Sequence, residues 1–385
     1  MLMNLANLIL WESAVREPIA ARVAICGDFL PAGKLAMRGD ESWGGKAQGL
    51  HEYFADVATT FANLEATLDC DALPPRVLNG LGQIVAAPAA SLGYMEAIHV
   101  RAVGIANNHI YDFGDAGVQR TGAAVVLAGM EPLGAGFSMR ERREVVVWEG
   151  SGGVRVGFWA AAKATSDPAT QNSRGVEPAT TARGCEALRE MQKRGAQFCV
   201  ALVHAGCLRT DRPDPEDVGL LDALAKSGFD IVAASHSHRL SGYRTVAGTR
   251  ERPSFAFYGL GSLVSGYVSC AAEREGLIVV AGLSASGALV RLEVRPVWLD
   301  DSGFGSVPGA AAKQEMLEHF RALSAEIDDG SYERLFYRDV SQGLTRLYLR
   351  DARAAFRAAG IRGLANKARR VRVRHVKRLV HKVIG

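Results

Sequence analysis

Short apolar runs that end in Gly, Asp, Asn or His constrain the fold of this 385-residue chain more than any other feature. Residues 22–27 (RVAICG) precede Asp28, and residues 198–203 (FCVALV) precede His204. Helix-like segments alternate with these runs, as over residues 215–227. This alternation favours an α/β domain, and pairs of apolar segments joined by Gly- and Ser-rich turns predict mixed sheets.

We therefore expect an α/β fold in which mixed sheets form a layered sandwich with outer helices, followed by a helical C-terminal extension. The expected segments are an N-terminal helical segment (1–20), the main domain (21–300), the helical extension (301–349) and a basic amphipathic tail (350–385). A chain of this length buries a large core without disulfide bonds. Its six cysteines form no Cys-x-x-Cys pair, which indicates free thiols and a reducing compartment.

The charge of the chain is unevenly distributed. Residues 350–385 contain twelve lysines and arginines and one aspartate, whereas the rest of the chain has a net charge of −7. Valines at helical spacing in this tail predict an apolar stripe flanked by cations. Such a helix would dock on the body, on an acidic protein or on an anionic membrane surface. No Phe, Tyr or Trp lies among the cations of 367–382, so we expect no nucleic-acid partner.

Localisation is predicted from what the sequence lacks. No apolar run approaches the ~18–20 residues that span a bilayer. No Lys or Arg precedes the apolar patch at 5–11, although a secretory signal has such a charged region. We expect a cytoplasmic protein that the basic tail holds, at most, peripherally at a membrane.

The polar residues at the predicted strand ends are of metal-binding types. Carboxyl ends of strands are where open α/β sheets place ligands. Carboxylate oxygen, amide oxygen and imidazole nitrogen suit one or two divalent or trivalent ions such as Mn, Fe, Zn or Mg. If His236 and His238 continue a strand, both rings point to one face. The candidate ligands are Asp28, Glu65, Asn108, His204, His236 and His238.

Each candidate taken singly also has a structural interpretation. Asp28 and the asparagines at 107–108 suit turns, and Glu65 suits the N-terminus of a helix. A histidine such as His204 at a strand end often makes a structural hydrogen bond. The metal hypothesis therefore depends on all of these residues meeting at one place.

The motifs also have a recognisable order and spelling. The most specific string is Ala-Asn-Asn-His-x-x-Asp-x-Gly at 106–114, and it lies between Gly-Asp at 27–28, Asn-x-Glu at 63–65 and the strand that ends at His204. Over about residues 20–270 the chain resembles the poly-γ-glutamate capsule-synthesis protein A (CapA-like) family. That family shares the calcineurin-like metallophosphoesterase fold, so the resemblance implies a metallophosphoesterase-like sandwich.

The resemblance also implies a role for each motif. His109 would be a general acid or electrostatic stabiliser, and Asp112 would either hold the other nitrogen of His109 or cap the following helix. Leu30 stands where the broader fold has a histidine, and Ser262 stands where the family has an asparagine. The first departure removes a nitrogen ligand of the first metal, which implies one metal or two of unequal affinity, and the second implies a different substrate. By the same resemblance, Asp28 and Glu65 would bind or bridge metal, His238 would bind the first metal, and Asn108, His204 and His236 would bind the second.

Substrate-binding candidates lie in the loops near the same strand ends. Arginine captures carboxylate or phosphate groups in a bidentate manner, which suits a small-molecule or polyanionic glutamyl or phosphoryl substrate. A solvated loop residue is the structural alternative for any one of these arginines. The substrate-binding candidates are Arg174, Arg239, Arg244, Tyr258 and Ser262.

Three functions remain open at this point. The first is a metal-dependent hydrolase or transferase that acts on a phosphoryl or γ-glutamyl/acyl substrate, in the biosynthesis of poly-γ-glutamate or a related polymer. The second is an amide-forming or amide-cleaving enzyme of a small-metabolite pathway. The third is a non-catalytic accessory subunit of a membrane polymer synthase. The sequence contains no dinucleotide or P-loop fingerprint and no Gly-x-Ser-x-Gly elbow.

Overall fold

A computed structural model describes residues 7–14, 17–36, 42–76, 83–136, 144–163, 175–208, 210–248 and 252–342. In this part of the chain two mixed β-sheets pack face to face and helices cover their outer sides, which confirms the predicted α/β layered sandwich. The predicted basic tail (350–385) and Arg174 lie outside the described residues.

Nineteen strands form in the described part of the chain, and the predicted apolar runs at 22–27 and 198–203 lie in two of them. They are β1 (Leu8–Glu12), β2 (Ala21–Leu30), β3 (Thr59–Leu64), β4 (Thr67–Leu68), β5 (Ala86–Ala87), β6 (Val100–Gly104), β7 (Glu131–Leu133), β8 (Ala135–Gly136), β9 (Val145–Glu149), β10 (Arg155–Ala162), β11 (Gly175–Val176), β12 (Phe198–Ala205), β13 (Ile231–His236), β14 (Tyr243–Val246), β15 (Ser254–Phe257), β16 (Ser262–Ser265), β17 (Glu275–Leu283), β18 (Leu289–Leu299) and β19 (Gly305–Ser306).

Both sheets contain parallel and antiparallel pairs of strands. In the larger sheet the order is β1-β18-β17-β2-β3-β6-β7, with β16 also paired to β2 and β19 to β18. In the smaller sheet it is β14-β15-β13-β12-β10-β9. The central strands β2, β3 and β6 of the first sheet, and β10, β12, β13 and β15 of the second, run parallel. Their carboxyl ends therefore lie at one edge of each sheet.

The helices occupy the outer layers. They are α1 (Trp43–Lys46), α2 (His51–Phe54), α3 (Leu92–Ala97), α4 (Gly114–Leu127), α5 (Thr181–Lys193), α6 (Pro215–Ser227) and α7 (Ala310–Asp328), and residues 332–342 are also helical. Asp214 caps α6 by accepting a hydrogen bond from Glu216 N, with Pro215 in the first turn and Gly228 at the end in a left-handed conformation.

Alternation along the strands divides the apolar side chains between two layers. Phe158 of β10 faces Phe61 of β3 across the two sheets, with ring centroids 4.9 Å apart. The next residue, Trp159, points outward and packs against Phe229 beside α6 at 5.7 Å. All four side chains are fully buried. The sheets are thus joined by a continuous apolar layer, as the alternation of side chains in a strand requires.

The C-terminal helix α7 lies along the edge strand β14. Phe320 stacks on Tyr243 with ring centroids 5.3 Å apart, and Ser324 Oγ accepts a hydrogen bond from Tyr243 N. A Cβ on Gly242 would lie 2.6 Å from Ser324 N, so glycine is needed for this close approach. The helix therefore covers backbone groups that an open sheet edge would expose.

Two predicted boundaries need correction. The segment 1–20 is expected to be helical, but its described part contains strand β1, which pairs with β18 at the edge of the larger sheet. Its apolar residues are partly buried on this edge. The segment was predicted as helix because a strand pattern with a period of two cannot be distinguished from a helical turn over only five residues. The larger sheet also continues past residue 300, because Gly305 and Ser306 of β19 pair with β18.

None of the helices in the described part of the chain combines the length and the apolar composition that crossing a bilayer requires.

Candidate metal centre

The predicted ligands meet where the carboxyl edges of the two sheets face each other. Asp28 lies in β2, in register with Asn63 of β3 on one side and with Ser262 of β16 on the other. The pairing of β2 and β3 is irregular just before Asp28, and a Cβ on Gly27 would lie 2.0 Å from Gly261 O. The Asp28 carboxylate faces the smaller sheet, where its Oδ2 accepts a hydrogen bond from His236 N at 2.8 Å.

Glu65 lies at the centre of the cluster because its two oxygens face different histidines. Glu65 Oε1 is 3.4 Å from His204 Nε2 and 3.7 Å from His236 Nδ1. Glu65 Oε2 is 3.6 Å from His238 Nε2. The donors form two overlapping groups, Glu65–His204–His236 and Asp28–Glu65–His238, and within each group the ligand atoms lie within 4.8 Å of one another. Glu65 is the shared member.

Asn108 joins the first of these groups. Its Oδ1 lies 2.7 Å from His204 Nε2. The loop that carries it is held by Asn107, whose Oδ1 accepts hydrogen bonds from His109 N and Ile110 N, while its Nδ2 donates to Leu64 O at 2.7 Å. The two adjacent asparagines therefore have different functions, since Asn107 shapes the loop and Asn108 faces the cluster.

His236 and His238 reach the cluster by a turn. Strand β13 ends at His236, and both histidines have positive φ angles, of 109° and 54°. We predicted that a continuing strand would direct both rings to one face. The strand does not continue, so that reason was wrong, but both side chains do approach Glu65. Left-handed backbone at non-glycine residues costs of the order of 1–3 kcal/mol and is concentrated at functional sites.

Burial and charge determine the protonation of the cluster. Burial alone would raise the pKa of Glu65, but its interactions with His238 and His204 hold that pKa well below its usual value. Burial lowers the pKa of His204, which favours the neutral, metal-binding imidazole. Burial would also lower the pKa of His238, but Glu65 and Asp28 together raise it to about 9.

These residues fit a metal site by their chemistry. Asp28 and Glu65 are almost completely buried, and among the described residues neither carboxylate pairs with a lysine or arginine. Glu65 Oε2 and His236 Nδ1 are buried without a hydrogen-bond partner in the described part of the chain. His238 faces both carboxylates but can balance only one negative charge, and the remaining buried charge and unpaired polar atoms are costly unless a cation compensates them. The mixed oxygen and nitrogen donors suit divalent ions.

His109 and Asp112 form a pair on the same loop as Asn108. His109 Nδ1 lies 2.8 Å from Asp112 Oδ2, and the same carboxylate oxygen accepts a hydrogen bond from Val85 N at 2.8 Å. No side chain caps the N-terminus of α4 by a hydrogen bond. Of the two alternatives for Asp112, the structure favours orientation of the His109 ring over capping of the helix.

Comparison with known proteins then identifies the family. The model for the bacterial capsule synthesis protein PGA_cap family matches residues 22–267, a range that contains every ligand of the cluster. The chain belongs to this family. The resemblance predicted from the motifs is thereby confirmed, and the helix α7 lies beyond the matched range.

Curated relatives of this capsule-synthesis family are about a quarter identical to the chain over the residues that align. The capsule biosynthesis protein CapA of Bacillus anthracis is 25% identical over 236 residues, which cover 59% of this chain and 54% of that protein. A probable polyglutamine synthesis accessory protein of Mycobacterium tuberculosis is 27% identical over 220 residues, which cover 53% and 57%. The chain thus spans a little over half the length of these relatives.

Among solved structures, the chain is similar to a 5′-nucleotidase precursor from Thermus thermophilus. The TM-score is 0.46 and the sequence identity is 14%, over 78% of this chain and 58% of that one.

Two of the predicted substrate-binding residues lie away from the cluster. Arg244 and Tyr258 point to the outer face of the smaller sheet, where both contact Asp222 of α6. Alternation of side chains explains the error, since Phe257 faces the inner layer and Tyr258 therefore faces outward. Their contacts give no support to a substrate role.

The other two described candidates lie beside the cluster. Ser262 Oγ is 3.3 Å from His238 Nδ1, so this serine contacts a candidate ligand. Arg239 follows His238 directly, but its guanidinium is engaged by Asp211, with Nη1 2.9 Å from Oδ1. Substrate binding by either residue stays a prediction.

Sequence reasoning missed one residue that contributes to the site. Asn63 Nδ2 donates to Asp28 Oδ1 at 2.7 Å and lies 3.2 Å from His204 Nδ1. The signal was present, because Asn63 belongs to the Asn-x-Glu motif that supplies Glu65. Motif spelling places the asparagine at the strand end that precedes Glu65, but the contact joins residues far apart in the chain.

Proposed function

We propose that this protein is a metal-dependent hydrolase or transferase that holds two divalent cations, one in each of the two ligand groups that share Glu65. Its substrate would be a phosphoryl or γ-glutamyl/acyl compound, used in the biosynthesis of poly-γ-glutamate or a related polymer. The main support for the proposal is that the two oxygens of Glu65 face different histidines. Oε1 faces His204 and His236, and Oε2 faces His238.

The candidate ligands would be distributed between two cations. Asp28, Glu65 and His238 would hold one cation, and Glu65, Asn108, His204 and His236 the other. Bound cations at such a centre polarise a phosphoryl or acyl oxygen and lower the pKa of water.

His109 would transfer a proton to the leaving group. Its ring orientation is held through Nδ1 by Asp112, so Nε2 is the nitrogen that remains for the substrate. The partly exposed His109 side chain, at 17%, is accessible to a bound molecule.

The proposed substrate class rests on the family and on its relatives. The relatives are described as proteins of capsule biosynthesis and polyglutamine synthesis. A glutamyl polymer carries acyl groups next to carboxylates, and phosphoryl compounds carry a similar anionic oxygen. Both present the hard oxygen that divalent cations bind.

Metal analysis and turnover on the full chain test the proposal together. Protein purified without chelator should contain up to two metal ions per chain and should hydrolyse an aryl phosphate or a γ-glutamyl anilide in the presence of Mn²⁺. His236→Ala and Asn108→Ala should each lower both the metal content and the activity. Glu293→Gln is the matched control, because Glu293 is a buried carboxylate that pairs with Arg295 instead. Unchanged metal content in the two site variants would contradict the proposal.

A second candidate is a non-catalytic accessory subunit of a polymer synthase. The description of the mycobacterial relative as an accessory protein favours it. Under this alternative the cluster binds cations and ligand, but the His109→Gln variant supports polymer synthesis as well as the natural chain does. Under the enzyme proposal the same variant fails.

A further inference from the structure

The turn that carries His236 and His238 requires support from outside itself. Both residues have left-handed backbone, which surrounding structure has to stabilise. Within the turn, Ser237 Oγ donates to Arg239 O at 3.2 Å and accepts from Arg239 N at 3.3 Å. These two long hydrogen bonds are local. The start of the turn is tied to the larger sheet, because His236 N donates to Asp28 Oδ2 at 2.8 Å, and the side chain of Arg239 provides a second link at the other end.

The side chain of Arg239 connects this turn to a second loop. Its Nη1 lies 2.9 Å from Asp211 Oδ1, and its Nη2 lies 3.4 Å from Cys270 Sγ. The charged side chains of Arg239 and Asp211 are both about four-fifths buried. An ion pair with a hydrogen bond at this degree of burial is directional, and breaking it leaves a poorly solvated charge.

Asp211 and its neighbour connect in turn to the C-terminal helices. Asp211 Oδ2 lies 3.8 Å from His319 Nε2 of α7. Arg212 makes two hydrogen bonds to the Glu326 carboxylate of α7, at 2.7 and 2.8 Å, and a third to Asp339 Oδ2 at 2.9 Å. The loop after β12 is thus fixed to α7 and to the helical residues 332–342.

We propose that Arg239 is a positioning residue of the metal centre, and that helix α7 acts through Asp211 and Arg239 to hold the His236–His238 turn in its ligand-presenting conformation. This inference rests on the proposed metal site and deepens it. It also assigns a purpose to α7, which lies outside the range that the family model matches. The side chain of Arg239 is engaged by Asp211 and Cys270, so its effect on the metal centre runs through the adjacent backbone of His238.

The test is Mn²⁺ binding to the full chain, measured by calorimetry after removal of bound metal and dialysis. Arg239→Gln and Asp211→Asn should each raise the dissociation constant of Mn²⁺ by about tenfold or more, as loss of groups that orient metal ligands does. Arg239→Lys should recover part of the affinity, because it keeps the charge and removes Nε, which is buried without a partner among the described residues.

Arg244→Gln is the matched control. Arg244 also pairs with a carboxylate, Asp222, and also reaches α7, where its Nη2 lies 3.5 Å from Ile327 O. Its loss should lower the melting temperature and leave Mn²⁺ affinity unchanged. Equal affinity in Arg239→Gln and the natural chain, or an equal loss in Arg244→Gln, would overturn the positioning role alone. Failure of the natural chain to bind Mn²⁺ would overturn the metal site itself.

Discussion

Asn63 donates a hydrogen bond from Nδ2 to Asp28 Oδ1 at 2.7 Å, and the two residues are direct neighbours on parallel strands β3 and β2. The same amide nitrogen lies 3.2 Å from His204 Nδ1 of the other sheet. One neutral side chain therefore contacts a candidate ligand from each sheet. Groups that orient ligands in this way determine metal affinity almost as strongly as the ligands do.

Replacement of Asn63 by Leu should weaken Mn²⁺ binding about 10–100-fold, because the Asp28 carboxylate loses a donor that fixes its orientation. Calorimetric titration of the full chain measures the change. Thr60→Val is a suitable control on the same strand, since it removes a buried hydrogen bond to Ile98 O and touches no ligand. Wild-type affinity in Asn63→Leu would contradict this account.

Metal stoichiometry should distinguish the shared ligand from the others. Glu65→Gln should lose both bound ions, because Glu65 belongs to both ligand groups. His238→Ala should lose one ion and keep the other, since His238 belongs to one group. Elemental analysis of the purified variants gives the counts. Retention of two ions by Glu65→Gln would show that Glu65 does not bridge.

His109→Gln should reduce turnover of an aryl phosphate by about 10²–10⁴-fold while the metal content stays at the wild-type level. The reason is that His109 pairs with Asp112 and is absent from both ligand groups. Steady-state rates and metal analysis on the same preparation measure the two quantities. A parallel loss of metal would instead assign His109 a structural role in the loop.

Stability should depend on the contact between the two sheets. Phe158→Ala should lower the free energy of unfolding by about 3–5 kcal/mol, because Phe158 is fully buried against Phe61 and the cavity cannot close between two sheets. Urea denaturation measures this loss. Leu127→Ala, at a side chain that is 88% exposed, should change stability by less than about 0.5 kcal/mol.

His319 should make stability depend on pH. Its hydrogen bond to Glu275 raises the pKa of His319, with further help from Asp211 and opposition from burial and Arg212. A pKa raised on folding means that the stabilisation is complete below the unfolded value of about 6.5 and is lost as pH rises through the folded value.

The difference in melting temperature between the natural chain and His319→Gln measures this effect. It should be positive at pH 5.5 and should shrink by pH 8.5. The difference also cancels the titration of the histidines in the metal centre, which both proteins retain. A difference that stays constant across this range would contradict the assignment.

Most strands and the longer helices were predictable from local pattern. The segment Pro215–Ser227 carries its own start and stop signals, an Asp cap with proline before the apolar face and a glycine after it. The predicted strand 198–203 stops just short of the observed end at Ala205. The edge strand β1 was missed because its pairing with β18 joins Leu8 to Val294, at the opposite end of the domain sequence.

The outcome for the arginines shows the limit of such reasoning. Arg239 and Arg244 look equivalent in the sequence, since both follow the His-x-His segment. The structure directs Arg239 to Asp211 beside the cluster and Arg244 to Asp222 on the outer face. Strand alternation and the packing of α6 and α7 decide between them, and neither is visible from the spacing of charges.

The sequence by itself determined which donor types are present and that they follow strand ends, because apolar runs, turn residues and motif spelling are local properties. Tertiary structure alone decided that Glu65 serves two histidine groups and that Asn63 and Arg239 support the ligands. Those relationships arise from the packing of the two sheets against each other. Such packing brings together residues whose distances depend on the whole fold and on no single segment.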